Sequence, residues 1–313
     1  MAKLLVTGAS GLLGANLVLD ALSEFEVVGV YHQNAVGCDG AAMIQADLAE
    51  PGVARGILED VRPDWVVHCA AATHVDRCEE RPEWAYRLNR DMAAQVAEAS
   101  QASGAYLVHI STDAVFDGAS GGYAEGDEPN PINVYAASKL AGEQAVAGIY
   151  PEALIVRTNL FGWNATDKPS LAEWFLKGLE GRETLIGFAD VEFNPILVNH
   201  LGKALLAAFQ QRAAGIYHMA GSTCLSKYDF GVRVAEASGH SADSIRPGAL
   251  EDIRLRARRS KRLCLDVGKA ERELGLRFPR VEAGIREMLA MRDDGRLAKL
   301  KAMSAAQFED AGS

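Results

Sequence analysis

Apolar runs of four to seven residues recur through the first half of the chain, separated by longer stretches with helical spacing. The runs Lys3–Thr7, Glu26–Tyr31, Trp65–Cys69, Tyr106–Ile110 and Leu154–Arg157 are short and continuously apolar, as strands buried on both faces must be. Between them, Ala15–Leu22, Val53–Asp60, Ala85–Ser103 and Tyr135–Ala147 carry the period of helices. Strand alternating with helix over about 160 residues predicts an α/β class fold, a doubly wound parallel sheet covered on both faces, as a domain over 1–160. After Phe161 the alternation fades. Helices are expected at Leu171–Glu180, His200–Gln210, Tyr228–Ser238 and Val281–Met291, with a short strand at Ile216–Met219. This half, 161–313, reads as a smaller substrate-binding α/β lobe capping the carboxyl edge of the sheet. Its polar, Ala-rich tail after about residue 292 is expected to be flexible.

Composition narrows the class. Of the 313 residues, 49% are hydrophobic and 24% charged, which is ordinary for a soluble protein. The net charge of −10 leaves no basic field to gather phosphates, so nucleic acid is not an expected partner. Five cysteines are scattered with no C-x-x-C, so neither a disulfide framework nor a zinc site is expected, and a reducing compartment fits. The seven histidines form no H-x-x-x-H, so no metal is expected. The opening MAKLLVTGAS is neither a signal peptide nor a membrane span. A cytoplasmic location follows as the expectation, with a homodimer as a candidate assembly.

Two motifs carry chemistry. Thr7-Gly8-Ala9-Ser10-Gly11-Leu12-Leu13-Gly14 lies between a strand and a helix. Glycines there let backbone approach a pyrophosphate, and the helix presents free N–H groups and the positive end of its dipole. The domain is therefore expected to be Rossmann-type. The second motif is Tyr135-Ala136-Ala137-Ser138-Lys139, whose Tyr and Lys share one helix face. An ammonium nearby lowers a phenol's pKa from about 10 toward the working range. The pair follows Ile110-Ser111-Thr112-Asp113 by about 24 residues, and hydroxyls at that strand end can hold a substrate carbonyl oxygen.

The G-x-x-G-x-x-G spacing resembles that of extended short-chain dehydrogenases. Ser111-Thr112-Asp113-Ala114-Val115-Phe116-Asp117-Gly118 is similar to the S-T-D-x-V-F-D-G signature of the dTDP-4-dehydrorhamnose reductase family. Pro131-Ile132-Asn133-Val134-Tyr135, followed by Ser138-Lys139-Leu140-Ala141-Gly142-Glu143, resembles that family's P-x-N-x-Y-G-x-(S/T)-K-L-x-G-E. His74-Val75-Asp76-Arg77-Cys78-Glu79, and Arg259 before Leu265-Asp266-Val267-Gly268-Lys269, resemble two further motifs. The likeness runs from residue 1 to about 290. It implies Thr112, Tyr135 and Lys139 as the catalytic trio. It implies a dinucleotide against Gly8, Ser10, Gly11, Leu12, Leu13, Gly14, Tyr31, His32, Asp47, Leu48, Cys69, Ala70, Ala71, Asn89, Ser111, Tyr135 and Lys139, with Asp47 on the adenine amino group. The sugar would meet Thr73, Val75, Asp113, Val115, Phe116, Asn159 and Arg259. Ala136 stands where the family has Gly, Ser260 where it has Pro, and Leu160 where it often has a sugar-facing Trp.

The second strand ends Tyr31-His32-Gln33-Asn34 without the acid that would hold a 2′-hydroxyl, which favours NADP(H) and leaves NAD(H) possible. The basic run Arg254–Arg262 suits the diphosphate of a nucleotide sugar. The expected activity is NAD(P)H-dependent reduction of a 4-keto-6-deoxy sugar nucleotide. Two alternatives stay open. One is an epimerase on the same scaffold. The other is a cofactor-binding subunit without catalysis, because this family resembles the regulatory subunit of methionine adenosyltransferase. A dehydratase would carry Asp-Glu after the Thr, and Asp113-Ala114 lacks the second acid.

Overall fold

The computed structural model describes residues 1–305. Its strands in chain order are β1 (Ala2–Thr7), β2 (Phe25–Tyr31), β3 (Ala41–Gln45), β4 (Trp65–His68), β5 (Tyr106–Ile110), β6 (Leu154–Arg157), β7 (Leu160–Phe161), β8 (Leu185–Phe188), β9 (Glu192–Phe193), β10 (Ile196–Leu197), β11 (Gly215–His218), β12 (Leu225–Ser226) and β13 (Ile245–Gly248). Seven of them form one parallel sheet in the order β11-β6-β5-β4-β1-β2-β3. The order reverses at β1, the place where doubly wound sheets open a crevice beyond their carboxyl ends. Three two-stranded pairs, β7 with β10, β8 with β13 and β9 with β12, belong to the second half of the chain.

The helices are α1 (Leu12–Ala21), α2 (Val53–Val61), α3 (Val75–Glu80), α4 (Pro82–Tyr86), α5 (Met92–Ser103), α6 (Val134–Ile149), α7 (Leu171–Glu180), α8 (Val198–Gln211), α9 (Lys227–Ala237), α10 (Gly268–Leu274), α11 (Val281–Ala290) and α12 (Arg296–Ala305). The strand period of two divides their packing. Leu5, Val66, Leu107 and Ile155 point to the side of α2, α5 and α6. Leu4, Val6, Val67, Val108, Leu154 and Val156 point to the side of α1 and α8 and join the core of the second half.

The structure corrects several expectations. The expected helix 85–103 is three pieces, because a π-type turn, Arg87–Asp91, separates α4 from α5. β3 lacks a long apolar run, being half-exposed at the sheet edge, and so gave no signal. The second half supplies β11 to the first half's sheet, so the two halves share one core across the expected boundary at 160. The tail is not frayed as far as it is described. Leu300 and Met303 of α12 are 1% and 2% exposed against the main core, and residues 306–313 lie outside the described part. Finally, Cys224 and Cys264 form a disulfide. Forty positions of chain separate them, but the backbone of Leu265 is held by Asn194, which also binds Gly221 near Cys224. Tertiary pairing, not sequence spacing, brings the two thiols together.

Helix α6 carries an internal comparison. A Cβ at Gly142 would sit 2.1 Å from the carbonyl oxygen of Asn89, so α6 and the π-type turn touch backbone to backbone there. Gly148, on the same helix, faces open space. Gly142→Ala is expected to destabilise by about 1–3 kcal/mol, the usual cost of overpacking. Gly148→Ala is expected to stabilise by roughly 0.5–1 kcal/mol through helix propensity. Urea unfolding of the two variants checks this, and equal midpoints would contradict the close contact.

Candidate active site at the carboxyl edge of the sheet

β1 runs into the glycine loop, and the loop's shape follows from what surrounds it. Gly8 has φ +67°, and a Cβ on it would lie 2.7 Å from the amide nitrogen of Ala70, just beyond β4. A Cβ on Gly14 would lie 2.2 Å from the Gly8 carbonyl oxygen. These two glycines are required by packing within the protein. Gly11 differs. It is exposed, caps α1 without any side-chain hydrogen bond, and a Cβ there would meet only the Gly8 carbonyl at 3.2 Å. The first-turn N–H groups of α1 thus open onto a surface cradle that one side chain would fill, which fits a pyrophosphate. Ser10 and Leu12 are half-buried at this rim, whereas Leu13 is buried in the core.

The rest of the expected cofactor surface lies along the same edge. His32 is exposed after β2, and its Nε2 is 3.9 Å from Asp47 Oδ2. Asp47 accepts from the Ala49 amide at 3.0 Å and is 3.5 Å from Arg87. Leu48 is buried beneath it. Beyond β4, the thiol of Cys69 is pushed up to about 12 by burial, so it is protonated and unreactive. Ala70 and Ala71 follow, half-buried. Asn89 binds the next residue on both sides, accepting from the Ala72 amide at 2.8 Å and donating to its carbonyl at 3.1 Å. It also donates to Ser138 Oγ at 2.9 Å, so it locks this loop to α6 and makes its contacts inside the protein.

The expected catalytic trio comes together where β5 ends. Asn133 caps α6 by accepting from the Ala136 amide at 2.8 Å, which sets Tyr135 and Lys139 on its first two turns. Thr112 caps a short turn by accepting from the Ala114 amide at 3.2 Å, and its hydroxyl donates to Asp113 at 3.1 Å. The Thr112 hydroxyl lies close enough to the Tyr135 phenol to favour its ionised form. Burial outweighs this and pushes the phenol up to about 12, so it carries its proton at neutral pH. Lys139 donates to the Ile110 carbonyl at 2.7 Å, and burial brings it down to about 8, opposed by the carboxylate of Glu143. The Asp113 carboxylate also raises the phenol. Ser111 turns away from the site, because its hydroxyl donates to the buried Glu143 carboxylate.

The expected sugar residues divide. Asp113 is buried, held by Asn159 at 2.7 Å, and raised to about 6 by loss of water. Thr73 is exposed and accepts from Lys168 Nζ at 3.2 Å; Val75 opens α3. Val115 and Phe116 are fully buried, with Phe116 stacked on Tyr123 at 4.2 Å, so their side chains are core and only their backbone can face a ligand. Arg259 is tied to Asp76 at 3.0 Å and to the Ala257 carbonyl at 2.8 Å. Sequence reasoning missed Lys227, at the start of α9. Burial lowers it, the Asp113 carboxylate raises it and Arg259 lowers it, so the other half of the chain brings a lysine toward Asp113. Nothing in its local sequence marks it. Among the described residues, no cluster of His, Cys, Asp and Glu could hold a metal, and no helix is long and apolar enough to cross a membrane.

Comparison with known proteins fits this geometry. The model of the RmlD substrate binding domain matches residues 2–293. A dTDP-4-dehydrorhamnose reductase of Mycobacterium tuberculosis is 35% identical over 254 residues, 78% of this chain and 78% of its own. The subunit beta of methionine adenosyltransferase 2 from Danio rerio is 29% identical over 278 residues, 86% of this chain and 84% of its own. The crystal structure of the Bacillus anthracis dTDP-4-dehydrorhamnose reductase in complex with NADP superposes with a TM-score of 0.83 at 28% identity, covering 92% of this chain and 99% of that one. The chain therefore belongs to the RmlD substrate-binding domain family, and it is an NAD(P)-dependent oxidoreductase of the extended short-chain dehydrogenase type.

Proposed function

We propose that the protein reduces the ketone of a 4-keto-6-deoxy sugar nucleotide, with dTDP-4-dehydrorhamnose the first substrate to try. One observation carries the reading: the Thr112 hydroxyl at the end of β5 and Tyr135 and Lys139 on the first turns of α6 come together at the carboxyl edge of the sheet. A ketone oxygen between the Thr112 hydroxyl and the Tyr135 phenol would receive two hydrogen bonds. Their stabilisation grows as negative charge develops on that oxygen, so they favour the transition state over the ground state. The nicotinamide, when bound, supplies the hydride. Tyr135 supplies the proton, and its raised phenol is in the correct form to give it. Lys139, anchored on the Ile110 carbonyl, is placed one turn along α6 to hold ribose hydroxyls and to draw near the phenol once the site is filled. Lys227 and Arg259 are suited to the diphosphate, Arg259 by exchanging part of its bond to Asp76. The absence of an acid after β2 favours NADPH over NADH. The intact trio also weighs against a purely regulatory subunit.

A screen of NADPH and NADH oxidation across 4-keto-6-deoxy sugar nucleotides tests the reading. At least one is expected to turn over, and Tyr135→Phe is expected to lower kcat by about 2 to 4 decades while cofactor affinity holds. No turnover with any of them would favour the regulatory-subunit reading, and near-normal turnover by the variant would remove Tyr135 from the chemistry.

The pH profile is a second check. Lys139 is lowered to about 8, so its ammonium is present below that pH and lost as pH rises through it. Since the charged form anchors the site, kcat/KM is expected to fall about tenfold per pH unit above it. A profile that stays flat to about pH 10 would contradict the need for a charged Lys139.

A further inference from the structure

Helix α12 lies beyond residues 2–293, the part that matches the family model, yet it is built into the cofactor half of the molecule. Three contacts fix it. At its start, Arg296 pairs with Asp20 at 2.6 Å and donates to the Asn16 carbonyl at 3.5 Å, both on α1. Asp20 also accepts from Asn199 of α8 at 2.9 Å, so the carboxylate joins three helices. In the middle, Leu300 and Met303 are 1% and 2% exposed and buried in the main core. At its end, the Met303 carbonyl accepts from the amide of Gly37 at 2.8 Å, and Ser304 donates to the Ala165 carbonyl at 2.9 Å.

Gly37 and Val36 belong to the connection between β2 and β3, residues 32–40. That connection begins at the strand end which, in a doubly wound sheet, meets the adenosine ribose of a dinucleotide. Its first residues, His32, Gln33 and Asn34, are exposed, whereas Val36 is buried and Gly37 is bonded to α12. α12 thus grips both α1, whose N-terminus forms the pyrophosphate cradle, and the loop beside the ribose.

We propose that α12 is a strap that seats the 32–40 loop for the adenosine end of the cofactor, with Met303 and Arg296 as its positioning residues. The inference rests on the reading that the glycine loop and the end of β2 hold a dinucleotide. A loop fixed in advance loses less freedom when ligand arrives, so the strap acts on cofactor affinity and not on the chemical step.

The test is calorimetric binding of NADPH and of adenosine 2′,5′-bisphosphate, which carries only the end that the loop would meet. Met303→Ala, which keeps the helix, is expected to weaken both by about threefold to tenfold, and Met303→Leu to restore wild-type affinity within twofold. Val234→Ala, in the buried face of α9 away from this loop, provides a comparably destabilised control and is expected to bind normally. Unchanged affinity in a folded Met303→Ala, or an equal loss in Val234→Ala, would overturn the strap alone. A wild-type protein that binds neither NADPH nor NADH would overturn the strap and the dinucleotide reading together.

Discussion

The carboxylate of Glu143 and the guanidinium of Arg157 meet at 2.7 Å, each side chain 2% exposed. Arg157 Nε donates to the same carboxylate at 3.0 Å and the Ser111 hydroxyl donates to it as well. Phe116 lies under the guanidinium at 5.1 Å. Such a pair adds little net stability against an apolar replacement of both partners, but losing one partner alone costs about 3–5 kcal/mol because a bare charge stays buried. It therefore specifies geometry. Glu143 is on α6, Ser111 just beyond β5 and Arg157 on β6, so the pair fixes α6 against two strand ends. Lys139 and Tyr135 lie one and two turns earlier on that helix, and Thr112 follows Ser111. The meeting of phenol and hydroxyl at the sheet edge depends on this buried junction.

The same junction bears on the ammonium. Glu143 raises Lys139 while burial lowers it, and the balance falls to about 8. Lys139 sits above two stacked histidines, His68 and His109, with ring centroids 5.4 Å apart. Burial pushes His68 down to about 3 and His109 well below its ordinary value, and the lysine lowers both further, so the two rings stay neutral. The two rings therefore add no charge beside Lys139.

Much of this was legible in the sequence, for physical reasons that particular residues show. β1, β4, β5 and β6 are buried on both faces and so announce themselves as continuous apolar runs. The glycine loop and the Tyr-x-x-x-Lys pair are local constraints written in adjacent positions, and the short turn at Thr112 has the same character. What was not legible depends on distant parts of the chain. Lys227 comes near Asp113 only because α9 folds back from the second half. Cys224 and Cys264 are joined by tertiary pairing across 40 positions. Ser111 looked like a site hydroxyl, and only the buried carboxylate explains why it turns inward. Val115 and Phe116 sit inside a functional motif, yet they serve it as core. The polar look of the last residues concealed Leu300 and Met303, which bury one narrow stripe of an otherwise charged helix.

The central claim is that this site delivers a hydride to a ketone carbon while Tyr135 protonates its oxygen. Isotope transfer tests it most directly. With NADPH deuterated at the nicotinamide C4 and dTDP-4-dehydrorhamnose as acceptor, the account predicts deuterium on C4 of the sugar from one face of the nicotinamide only, and none in Tyr135→Phe within the same time. Deuterium that stays on the cofactor while the sugar is unchanged, or that appears at another sugar carbon, would contradict it.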